Sequence, residues 1–309
     1  MSDDIPMRVA VVGATGFQGG ATARLLIERK HRVRTLSRKP EEDRPELPGV
    51  LVVDGDLGRQ EDVRRLFEGA THAAVTMPLV YEADKVLAYS QHIAKAARDC
   101  GLRRIVYNSN TRVPRHSTRL AAFETRRLAE TVFRESLADS GVELVVVRPP
   151  VYLDNLFSPW NGPALVNEGV LAYPLPADAP AAWISHRDLA EAIYAALTVD
   201  AIAGRTFDIG GERSLTGPEL AAAFARGLGR DVRYVALEPH VFEQGLAQIV
   251  GTGAAAGVAG IYHFMAGDAQ PALMAGDDGG SAAALSLKPT PADEWVARQP
   301  WQLWSGEQA

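Results

Sequence analysis

Residues 9–20 read Val-Ala-Val-Val-Gly-Ala-Thr-Gly-Phe-Gln-Gly-Gly, an apolar run that meets glycines spaced by three. Such a stretch predicts a strand, a tight turn and a helix start. Glycine permits the turn, lets backbone approach a diphosphate without a Cβ in the way, and allows amide dipoles to point at its negative charge. Gly13, Gly16 and Gly19 are placed for those tasks, with Thr15, Phe17 and Gln18 between them as candidate contacts. A glycine triplet can also close a turn that holds nothing, so the residues that follow must decide.

A helical pattern through Ala21, Leu25 and Leu26 leads to a second strand, His31 to Ser37. A chain that binds NAD usually carries Asp or Glu at the end of that strand, where it hydrogen-bonds the ribose 2′-hydroxyl. Here the position holds Ser37-Arg38-Lys39. Two cations beside a hydroxyl suit a 2′-phosphate, so the expected ligand is NADP(H). A solvated basic loop is the plainer alternative. A third strand ends in Asp54-Gly55-Asp56-Leu57, where Asp56 and Leu57 can bracket an adenine ring, or Asp56 can cap the next helix.

The pattern then repeats. Thr71 to Met77 is a fourth apolar strand closed by Pro78, Arg104 to Ser109 a fifth, and Leu144 to Val147 a sixth. A long helix is expected from about Arg119 to Ser140, with an inner stripe of Leu120, Phe123, Leu128, Val132 and Leu137. Strands alternating with helices predict an α/β fold with a doubly wound parallel sheet. Tyr81 and Lys85 have the spacing of a Tyr-Lys catalytic pair, but they follow the fourth strand rather than the fifth, and a helix that merely covers the sheet is expected there. From Pro149 to Pro180 prolines punctuate an irregular, aromatic-rich stretch suited to a substrate crevice. Another strand is expected at Thr206 to Ile209, a capping-box helix from Thr216, a strand near 232–237 and a helix from about Pro239. The Gly/Ala-rich residues 251–280 fit either a mobile lid or small-residue helix packing.

Composition narrows the class of protein. With 309 residues, 47% hydrophobic and 23% charged, the chain can bury a large core in one or two domains. A net charge of -6 argues against nucleic acid as a partner, although residues 24–39 are locally basic. The single Cys100 excludes an internal disulfide, offers no partner for a metal site and fits a reducing compartment; a small buried residue at a helix end is expected. Met1-Ser2-Asp3-Asp4 precedes no apolar leader segment, and no apolar stretch is long enough to span a bilayer. A cytoplasmic protein with no membrane partner is expected, as a monomer or homodimer.

The motifs in order resemble the NmrA-like family of atypical short-chain dehydrogenases. These are Gly13 to Gly20, Ser37-Arg38, Phe123-Glu124-Thr125-Arg126, Val147-Arg148-Pro149-Pro150 with Asp154-Asn155-Leu156, and Asp188-Leu189-Ala190. The resemblance runs to about residue 237. It implies a Rossmann domain at 1–150, completed by about 183–211, and a smaller α+β lobe at 151–309 that takes the substrate. It also implies that Thr76-Met77-Pro78 and Asn108-Ser109 line the cofactor site. Members are NADP-preferring reductases of quinones, enones or aromatic compounds, or redox sensors without turnover. Reductases of the family often carry lysine, which contacts the nicotinamide ribose, where this chain has Arg126. Arginine can hold a ribose hydroxyl but does not readily give up a proton. His116, in the loop after the fifth strand, and Tyr152, just past the sixth, are the candidate proton donors; His186 reads as structural. A sugar-nucleotide epimerase or dehydratase shares the glycine turn but needs a Tyr-Lys pair where Phe123 and Arg126 stand.

Overall fold

The computed structural model describes residues 6–267, 273–276 and 279–305. The acidic Met1-Ser2-Asp3-Asp4 start lies outside them, as do residues 268–272 and 277–278 of the Gly/Ala-rich stretch.

β-Branched and small apolar residues without interruption make strands that are covered on both faces. β1 (Arg8–Val12) shows this: Ala10 and Val12 enter the core on one face of the sheet, Val9 and Val11 the core on the other. β2 (Arg32–Ser37) and β3 (Val50–Asp54) lie to one side of it, and β4 (His72–Thr76), β5 (Arg104–Asn108), β6 (Glu143–Arg148) and β8 (Thr206–Asp208) to the other. All pairs are parallel, in the order β3-β2-β1-β4-β5-β6-β8. The order reverses between β1 and β4, so the crevice at their carboxyl ends is the fold's ligand site by topology.

α2 (Gln60–Phe67), α3 (Ala83–Asp99) and α4 (Ala121–Leu137) cover one face through Leu66, Ile93 and Phe133. α1 (Phe17–Glu28) and α6 (His186–Thr198) cover the other through Leu26 and Leu189. This is the doubly wound α/β fold that the sequence predicts. α4 is shorter than expected because Arg119 and Asp139 take left-handed φ values of 62° and 54° at its two ends. Its buried stripe also differs: Leu128 is only partly buried, whereas Arg126 and Glu130 turn inward.

The stretch after β6 is more regular than its prolines suggest. It holds α5 (Gly162–Glu168) and β7 (Val170–Tyr173), and β7 pairs in parallel with β9 (Arg233–Ala236) as a separate small sheet. α7 (Gly217–Leu228) starts with the expected capping box between Thr216 and Glu219. α8 (Pro239–Val250) and α9 (Thr252–Ala266) form a helical pair, and α9 also packs on α4. In the described part of the Gly/Ala-rich stretch one small residue serves close packing: a Cβ on Gly257 would lie 2.1 Å from the Tyr81 ring, whereas one on Gly253 would meet open space. Cys100 caps α3 but is only partly buried. No helix among the described residues is long and apolar enough to cross a membrane.

Candidate functional site

At the tip of β1 the backbone leaves no room for side chains. Gly13 has φ +86°, and a Cβ there would lie 2.6 Å from the Thr76 carbonyl oxygen of β4. One on Gly19 would lie 2.3 Å from the Gly13 carbonyl oxygen. Gly16, the N-cap of α1, offers no side-chain cap, and the first turn of that helix carries no acid. First-turn amides have no partner within a helix, and their dipoles favour an anion. A diphosphate fits this turn.

The second-strand residues meet the third-strand loop in a cleft of about 600 Å³ lined by Ser37, Arg38, Lys39, Asp54, Asp56 and Arg59, among others. Ser37 Oγ accepts a hydrogen bond from the Lys39 amide at 3.2 Å. Arg38 is largely exposed and reaches Asp56 only at 3.8 Å, too loose a pair to neutralise it. Asp56 Oδ1 is held by the Gly58 amide at 2.7 Å, which makes it a turn residue as well as a wall of the cleft. Leu57 lends its carbonyl to the His92 ring at 2.8 Å. Arg59, which the sequence did not single out, brings another cation to the cleft from the N-cap position of α2. A basic residue just before a helix is its only mark in the sequence.

At the other end of the crevice the side chains form a connected network. Asn108 donates to Gln18 Oε1 at 2.8 Å and to Thr76 Oγ1 at 3.3 Å. The Tyr152 hydroxyl faces Gln18 Oε1 at 3.0 Å and the Asn110 carbonyl at 3.1 Å. Asn110, another residue that sequence did not single out, takes φ 65°, donates to the buried Met77 carbonyl at 3.2 Å and leaves its own buried Oδ1 without a partner. Strain and unmet polar groups concentrate where ligands bind. Pro78 sits half-buried beside Met77, and Val80 two residues further on accepts from Arg126 at 3.1 Å. Ser109 is not free to face a ligand: it is fully buried, and its hydroxyl donates to the Thr111 carbonyl at 2.6 Å.

The two proton-donor candidates are far from equivalent. Burial drives the Tyr152 phenol well above its ordinary pKa, so it holds its proton and serves as a fixed hydrogen-bond donor. His116 is exposed, and the fold uses its backbone carbonyl, which accepts from Arg127 at 3.1 Å. Among the described residues no contact joins its ring to Tyr152, Gln18 or Arg126. His186, read as structural, starts α6 with its ring 4.9 Å from that of Tyr152 and 6.4 Å from the highly exposed Phe17. Its Nδ1 lies 3.4 Å from Asp154; burial lowers its pKa, Asp154 opposes that and Arg24 adds to it. Tyr81 is not part of a catalytic pair with Lys85. It precedes α3, covers the guanidinium of Arg126 at 4.6 Å, and Lys85 pairs with Glu82 at 2.7 Å.

The profile of the NmrA-like family matches residues 6–296. The chain belongs to the NmrA-like family. Its relatives include a (4-alkanoyl-5-oxo-2,5-dihydrofuran-3-yl)methyl phosphate reductase from Streptomyces griseus, 32% identical over 226 residues, covering 73% of this chain and 76% of that protein. An NAD(P)H azoreductase from Xenophilus azovorans is 27% identical over 270 residues, covering 87% and 89%. In fold the chain is similar to the Citrobacter sp. triphenylmethane reductase solved with NADP(H), with a TM-score of 0.71, 21% identity and coverage of 93% and 98%. This NmrA-like chain has its glycine turn at residues 13–19 and carries arginine at position 126.

Proposed function

We propose that the protein is an NADPH-dependent reductase of a small quinone-, enone- or aromatic-type carbonyl compound. The observation that carries this reading is the cation cluster of Arg38, Lys39 and Arg59 in a cleft at the end of β2, the strand beside the one that leads into the Gly13 turn. Two of its relatives, the furanone phosphate reductase and the azoreductase, are reductases. Gly13, Gly16 and Gly19 would hold the diphosphate, with Thr15, Phe17 and Gln18 around it. Ser37, Arg38, Lys39 and Arg59 would hold the 2′-phosphate, Asp56 and Leu57 would flank the adenine, and Thr76, Asn108 and Arg126 would face the nicotinamide end. When bound, NADPH supplies a hydride. The protein orients the acceptor and excludes water. An acceptor whose negative charge is delocalised by conjugation needs no strong general acid, which accords with a Tyr152 that keeps its proton. The aromatic residues after β6 and the small sheet would form the substrate side.

Two measurements test this. Fluorescence titration should show NADPH bound at least tenfold tighter than NADH, about 1.4 kcal/mol, and equal affinities would remove the NADP assignment. A panel of quinones and enones should oxidise NADPH, followed at the nicotinamide absorbance. Arg126 in place of lysine favours a second reading, an NADP(H)-binding sensor without turnover, and tight NADPH binding with no substrate in the panel would support it.

A further inference from the structure

Arg126 is a buried charge with no counter-charge. It is 3% exposed, gives Nη1 to the Val80 carbonyl at 3.1 Å and to Thr125 Oγ1 at 3.2 Å, and leaves its Nε–H without any partner. Among the described residues no carboxylate lies within ion-pair distance of it. Two other arginines around the sheet differ: buried Arg104 meets Glu143 at 2.5 Å, and half-buried Arg148 meets Glu130 at 2.7 Å. A guanidinium stays protonated, and a cation taken out of water without a partner destabilises the fold. The molecule nevertheless encloses it, with the Tyr81 ring over its face and Gly257 of α9 behind that ring. Its bond to the Val80 carbonyl and the Tyr81 ring over it hold it against the loop that follows β4, the strand whose last residue, Thr76, accepts from Asn108.

We infer that Arg126 receives a negatively charged oxygen of the bound acceptor, and that the acceptor class is one that carries or develops such an oxygen conjugated to the reduced carbon. The acceptor's chemistry rests on the reductase reading above; the anion site does not. In the reduction a C–H bond forms on the acceptor, a C=O or C=C π bond breaks, and the displaced electron pair settles on oxygen. The acceptor is reduced and NADPH oxidised, and water supplies the proton that finally neutralises the oxygen. The unpartnered Nε–H is suited to such an oxygen, because a charge-assisted hydrogen bond is short and strong in a dry site. A neutral residue could fill the same space but could not answer that charge.

The test uses the full chain saturated with NADP+. Intrinsic fluorescence follows the binding of 2-hydroxy-1,4-naphthoquinone, an anion at neutral pH, and of menadione, a neutral quinone of similar size. The wild type should prefer the anion at least tenfold; R126K should keep part of the preference and R126M lose it. Without ligands, R126M should melt at or above the wild-type temperature, because it removes an unpaired charge. If R126M does not fold, R126Q carries the same binding expectation. A wild type that binds both quinones equally, or neutral variants that keep the preference while binding NADP+ more weakly, would overturn the assignment and leave Arg126 a cofactor residue. An anion preference that depends on Arg126 supports it even if no acceptor is turned over, a result that counts against the reductase reading alone.

Discussion

Gly257 of α9 and Tyr81 of the loop after β4 touch so closely that a Cβ on the glycine would come within 2.1 Å of the ring. An aromatic ring cannot yield at that distance without moving Arg126 beneath it. Gly257→Ala should destabilise the protein by about 1–3 kcal/mol, the usual effect of overpacking, despite alanine's better helix propensity. Gly253, on the same helix with nothing within 4 Å, is the control. Its replacement by Ala should be neutral or stabilising by up to about 1 kcal/mol. Urea midpoints compare the two.

The glycines of the opening turn should not respond alike. Gly13→Ala meets both a left-handed φ and the Thr76 carbonyl, and Gly19→Ala meets the Gly13 backbone, so both should lose at least tenfold in NADPH affinity. Gly16→Ala places its Cβ in ordinary contact, 3.4 Å from the Gly13 carbonyl, so it should keep wild-type stability and lose affinity only by crowding the diphosphate. Isothermal titration with NADPH gives the ranking.

Arg59 should share in cofactor choice with Arg38, since both line the same cleft. Arg38→Ala and Arg59→Ala are each expected to weaken NADPH by about 1–2 kcal/mol, the range of a charge-assisted hydrogen bond, and to leave NADH nearly unchanged. The ratio of the two dissociation constants is the readout. A loss shared equally by both cofactors would assign these arginines to folding.

Tyr152 should act through its hydrogen bonds and not as an acid. Tyr152→Phe removes a donor from Gln18 and Asn110 and should lower kcat/KM by about tenfold, the equivalent of one lost hydrogen bond of ~1.4 kcal/mol. Because burial pushes the phenol's pKa up, the wild-type rate should show no tyrosine limb up to pH 9–10, roughly the ordinary phenol range.

His72 supplies a stability change at acid pH. Its pKa falls from 6.5 to about 4, first through burial and then through the charges of Arg103 and Arg104. Between those values the unfolded chain binds a proton that the folded chain refuses, so stability falls as pH drops through that window. His72→Gln should flatten this part of the pH profile of chemical denaturation, without changing stability at pH 8 by the same mechanism.

The parts of the fold that are local in sequence were readable from it. The Gly13 turn is marked by its own glycine spacing, and Ser37-Arg38-Lys39 is found by counting from it, because a strand and a helix of ordinary length separate them. β7 was hidden among prolines, since its only pairing partner, β9, lies far along the chain. Arg59 shares a cleft with Arg38 only because α2 folds back over the edge of the sheet. Tyr81 carried the spacing of a catalytic pair, yet its partners turn out to be Arg126 and Gly257, neither of which a local pattern can couple to it. His186 stands at a helix start like many structural residues, and only the return of the chain after β7 sets its ring beside Tyr152.

The sheet order carries an evolutionary corollary. The chain leaves the large sheet after β6, contributes β7 to the small one, comes back to lay β8 against β6, and departs again for β9. No single cut therefore separates the two sheets. A truncation after β6 would strip that strand of its outer neighbour, and a chimera that borrows another member's smaller lobe must exchange two pieces of chain together. Divergence of acceptor choice in such a protein has to proceed by substitution within the braid, because wholesale recombination at one point would leave both halves unfinished.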